Sequence, residues 1–82
     1  MEKVYIVESG KSRRVFRSQE KANDYAESIA DRILQKETDA RIESKSETCI
    51  TINYRSSLGF KDHLYPVTAY IFISIGWFCD ED

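Results

Sequence analysis

Residues 18–36, SQEKANDYAESIADRILQK, constrain the fold more than any other stretch because they alone carry helical periodicity. Ala22, Tyr25, Ala26, Ile29, Ala30, Ile33 and Leu34 recur at the three- and four-residue steps of a single helical stripe. Ser18 is a suitable N-cap, and Gln19 and Glu20 complement the dipole in the first turn. Lys21 at the third position leaves the full capping box incomplete. Small residues at 22, 26 and 30 allow close approach to a sheet, and the larger ones fill the layer between. Thr38 and Asp39 are expected to mark the end of the helix.

The flanking segments read as strands and turns. Residues 3–8, KVYIVE, are β-branched and aromatic on both parities, which predicts an inner strand. Residues 9–12, SGKS, form the turn to a short strand whose Arg13, Arg14 and Arg17 suit an edge. From 40 to 54 the chain alternates, with Ile42, Ile50, Ile52 and Tyr54 on one parity and mostly polar residues on the other. That span reads either as one long strand or as two strands turning at residues 44–47. Residues 56–66 form the longest loop. Residues 67–79 are apolar on both parities and predict a central strand, with Gly76 as a candidate bulge. The expected fold is one α+β domain over residues 1–82. It has a mostly antiparallel sheet of four or five strands, one amphipathic helix on one face, and the order ββαββ(β).

Eighty-two residues suffice for one core and not for two. Twelve Lys and Arg against 14 Asp and Glu leave a formal charge of -2, which fits neither a generic polyanion binder nor an extreme acidic mimic. Electrostatic function therefore has to come from local segregation of charge. The apolar run at 4–7 is too short for a secretory signal, and residues 67–79 are too short to span a bilayer. A cytoplasmic location, with no membrane association, is expected. Cys49 and Cys79 with the one histidine, His63, fall short of a zinc site, so no metal or cofactor is expected and the cysteines read as free thiols.

Ser9-Gly10-Lys11-Ser12 imitates the end of a phosphate-binding loop, but the position needing the first glycine holds Tyr5. His63 has no second or third catalytic group at a recognisable spacing, so an enzyme is not expected. Two charged sets remain. Glu20, Asp24, Glu27 and Asp31 step by four, three and four along the helix opposite its apolar stripe. Neighbouring carboxylates there would stand ~6 Å apart, close to the phosphate spacing of a single strand. With the acidic end Asp80, Glu81 and Asp82 they form a candidate surface for a basic groove on a partner. Lys11, Arg13, Arg14 and Arg17 form the alternative, a basic hairpin for direct contact with nucleic acid, with Tyr5 or Phe16 available for stacking. Finally, Leu58, Phe60, Leu64 and Tyr65 lie in a loop, and one helix cannot cover both faces of the sheet. The second face must be covered by that loop or by another molecule, a homodimer through the sheet included.

The sequence K-V-Y-I-V-E, followed by V-F-R-S-Q-E-K-A-N-D-Y-A at residues 15–26, resembles the strand–strand–helix opening of small phage and mobile-element proteins, in which Ser-x-Glu-Lys-Ala opens the helix. The resemblance covers about a third of the chain. It is a structural signature. Small size, a solitary domain and the lack of catalytic residues are what resemble phage proteins that disable host defence, anti-CRISPR proteins included. That likeness implies an inhibitor occupying a nucleic-acid-binding or regulatory surface of a larger bacterial protein or ribonucleoprotein complex. The alternative is a small nucleic-acid-binding regulator using residues 11–17.

Overall fold

In a computed structural model, residues 2–57 and 63–78 are described. Among them the order is β1 (Glu2–Ser9), β2 (Ser12–Phe16), α1 (Gln19–Lys36), β3 (Thr38–Lys45), β4 (Cys49–Ser56) and β5 (Tyr65–Phe78). The strands form one antiparallel sheet in the spatial order β2-β1-β5-β4-β3. The α+β class, the single helix and the ββαββ(β) order are as read from the sequence, and β5 is indeed the middle strand.

Ser9 pairs with Ser12, so Gly10 and Lys11 make a two-residue hairpin loop. Only the glycine takes positive φ (58°), as a type II′ turn requires and as matches the twist of the flanking strands. The phosphate-loop imitation is thus a hairpin turn. Ser18 Oγ accepts from the Lys21 backbone N–H at 3.4 Å and opens α1.

The helix ends without a left-handed cap. Glu37 is extended, its N–H reaches the Ile33 carbonyl at 2.9 Å, and β3 begins at once at Thr38. The helix thus ends just before Thr38 and Asp39, and these two residues open the next strand. Asp39 takes φ 55°, a conformation that a short polar side chain tolerates, where the β3 register shifts between Thr38 and Arg41.

The span from 40 to 54 is two strands. Ser46 fastens the turn between them: its N–H donates to the Cys49 carbonyl (2.8 Å), and its hydroxyl accepts from the N–H groups of Thr48 and Cys49 (3.3 and 3.2 Å). A hydroxyl this close to backbone N–H groups offers the chain a local alternative to continued pairing. The irregularities expected at Gly76 lie in β3 instead, the second between Ile42 and Ser44. At Gly76 the β1–β5 register is unbroken. A Cβ there would stand 2.9 Å from Ile6 Cδ1, so the glycine makes room for a neighbour rather than bending the strand.

The main core cluster is the layer between α1 and the sheet, while Val4 is buried on the other face beside Gly76. Ala22, Ala26 and Ala30 bring the helix down onto Val7, Ile50, Ile52, Ile71 and Ile73, and Tyr25, Ile29, Ile33 and Leu34 pack around them. Among the described residues, no helix is long and apolar enough to cross a membrane.

Candidate functional site

Helical geometry decides where the acidic row faces. At about 100° per residue, Glu20, Asp24, Glu27 and Asp31 fall in a sector about 60° wide, centred about 130° from the three buried alanines. The row is therefore displaced from the position opposite the core toward one flank. Glu27 identifies that flank, because its Oε1 accepts from Lys45 Nζ of β3 at 2.6 Å. Lys21 and Arg32 turn the other way, on the side where Tyr25 packs its ring on Phe16 of β2 (centroids 5.3 Å apart). The outer surface of α1 is thus divided, acidic toward β3 and basic toward β2. All four carboxylates are exposed, and Glu20, Asp24 and Asp31 enter no ion pair among the described residues. Asp80, Glu81 and Asp82 lie outside the described residues.

The basic hairpin is not a single surface. Strand alternation sets Arg13, opposite Glu8, on the face away from the helix, and Arg14, opposite Val7, on the helix side. Arg14 is committed to aromatic rings: its guanidinium carbon lies 5.0 Å from the Tyr25 centroid and 5.6 Å from that of Phe16. Phe16 is half-buried in this cluster, and Tyr5 is half-buried with Lys3 Nζ 5.6 Å above its ring. Arg17 Nε meets Glu2 at 3.4 Å, and Lys11 sits in the exposed turn. Of the four cations, one faces each side of the sheet, one is paired and one is at the tip. The alternation of SRRVF already carries this split, and reading the four residues as one patch overlooked it.

Groups able to do covalent chemistry are sparse. Cys49 is a free, half-buried thiol 3.8 Å from Thr51 Oγ1. His63 lies edge-on to Tyr65, with centroids 5.7 Å apart. Among the described residues, no three His, Cys, Asp or Glu side chains are grouped to hold a metal ion. A cleft of about 370 Å³ runs beside the acidic row between α1 and the β3–β4 turn, lined by Asn23, Glu27, Lys45 and Ile73. At its helical wall, Asn23 Oδ1 is buried with no hydrogen-bond partner. Leu64 is exposed, whereas Leu58 and Phe60 of the same loop lie outside the described residues.

Comparison with known proteins adds no relative: no protein family model matches the chain, and no curated protein or solved structure matches it.

Proposed function

We propose that the protein is a non-enzymatic binding domain whose acidic helical row docks on a basic surface of a larger nucleic-acid-handling complex. The reading is that of a phage-type inhibitor acting in the cytoplasm of a bacterial host, where the carboxylates take the place of DNA or RNA phosphates. The observation that carries it is the exposed line of Glu20, Asp24 and Asp31, outside any ion pair among the described residues and held on one side of one helix. A row fixed on a helix loses little conformational freedom on docking, and aligned like charges raise the association rate with an oppositely charged groove. The hairpin alternative draws less support, because Arg13 and Arg14 point to opposite faces.

The test is affinity purification of the tagged chain from bacterial lysate, with and without nuclease, in parallel with an E20K/D24K/D31K variant. A stoichiometric protein partner that survives nuclease and is lost with the variant is the expected result. Retention of that partner by the folded variant, or recovery of nucleic acid alone, overturns the reading.

A further inference from the structure

The face of the sheet turned away from α1 has an aromatic centre and a neutral margin. β5 places Tyr70 and Phe72 in the middle of it, their rings stacked with centroids 5.7 Å apart and planes 11° off parallel, and both side chains are half exposed. Ile6 of β1 and exposed Val15 of β2 stand opposite one another on the same face, beside this ridge. β5 carries no charge on this face, and the charges of the strands beside it come in both signs. On the β1–β2 side Glu8 borders Phe72 directly and stands across from Arg13, and Glu2 pairs with Arg17. On the β3–β4 side Asp39 meets Arg55 at 3.9 Å, and Arg41 and Glu43 line a shallow cleft with them. An apolar centre with a polar rim is the anatomy of a protein interface, whereas a phosphate track would require an excess of cations.

We propose that this face is the interface of a homodimer, in which two sheets pack face to face across the Tyr70–Phe72 ridge. Three observations select a second copy as the occupant. First, the margin is neutral in sum, so the face presented to itself meets no net repulsion, whereas a strongly acidic or basic partner finds no complement there. Second, β5 is the third of five strands, so the ridge lies on the midline with two strands on either side. A two-fold axis along β5 therefore lays ridge on ridge and matches the widths of both flanks, as an isologous contact requires. Third, the strands at ~3.3 Å per residue and ~4.8 Å spacing give the face about 700 Å², close to the ~800 Å² per partner of a stable complex. Strand addition at the edges is the competing route to self-association, and both edges oppose it. β2 is five residues long and carries two arginines, and β3 is broken twice in register. In the dimer each α1 lies on an outer side, so two acidic rows face away from one another. The inference does not rest on the function proposed for that row.

Sedimentation equilibrium of the full chain from low to high micromolar concentration tests it, alongside Y70E/F72E and, as a control on the helix side, W77E. The native chain and W77E are expected to dimerise, and Y70E/F72E to weaken the dimer roughly thirty-fold or more while circular dichroism stays native. If Y70E/F72E fails to fold, T68R, at a polar position of the same face, replaces it with the same expectation. A native chain that stays monomeric throughout overturns the proposal, as does a dimer that survives these variants or is lost with W77E. A monomer that binds single-stranded oligonucleotide through Tyr70 and Phe72 would overturn it too, and would assign the face to nucleic acid instead.

Discussion

Strand β5 carries apolar residues on both of its sides, yet the two sides meet different fates. Ile71 and Ile73 are 0% and 8% exposed, whereas their neighbours Tyr70 and Phe72 are 50% exposed each. Phe72 is as wholly apolar as the two isoleucines, and the strand is the same. What differs is that α1 lies over one face. The same contrast recurs along a single face, where Ile75 (58%) and Trp77 (63%) share the parity of Ile71 and Ile73 and remain uncovered. An 18-residue helix is about 27 Å long, and a 14-residue strand about 46 Å, so β5 outruns its cover. Along β5, burial follows the reach of one helix, and apolar character alone does not assign a residue to the core.

Truncation on each side of β5 should separate the two faces most strongly. Ile71→Ala should cost about 3 kcal/mol in urea unfolding at low protein concentration, where association plays no part. Under the same conditions Phe72→Ala should cost less than about 1 kcal/mol. Equal costs would mean that the open face is covered within the monomer. Ala26→Leu probes the covered side by overfilling it, with an expected loss of about 2 kcal/mol in thermal unfolding, because the three alanines set how closely α1 approaches the sheet. Little or no loss would show that the helix rides loosely.

Smaller effects test what positions the helix. Ser18→Ala removes the hydroxyl that accepts from Lys21 and should lower stability by about 1 kcal/mol, read from the melting temperature. Glu27→Gln removes the ion pair with Lys45 across the acidic flank and should cost less than about 0.5 kcal/mol, because both side chains are about half exposed and water screens the pair. That small loss should shrink further in high salt. A large, salt-insensitive loss would show that the pair holds the β3–β4 hairpin against α1.

Much of this architecture was legible from local chemistry. The helix and its alanines were legible because an apolar period near 3.6 belongs to a helix and cannot arise from the two-residue repeat of a strand, and Ser18 occurs where a cap is needed. The first hairpin was legible because Gly10 supplies the positive φ its turn demands. The four exposed carboxylates of α1 were legible as a row for the same reason as the core stripe. The turn at Ser46 was harder to place, because Ser44, Lys45, Ser46 and Glu47 suit an exposed strand as well as a turn. The hydrogen bonds of the Ser46 hydroxyl decide between them only once the chain is folded.

Sequence alone determined the class of fold, the order of the elements and the two apolar parities of residues 67–79, because each follows from periodicity within a short window. Tertiary structure decided which parity is covered, that the acidic row leans toward β3 rather than standing opposite the core, and that Gly76 admits Ile6 instead of marking a bulge. These outcomes depend on contacts between segments distant in the chain. A residue's own chemistry states only what it would gain by being covered, and the packing of α1 against the middle of the sheet determines which residues gain it.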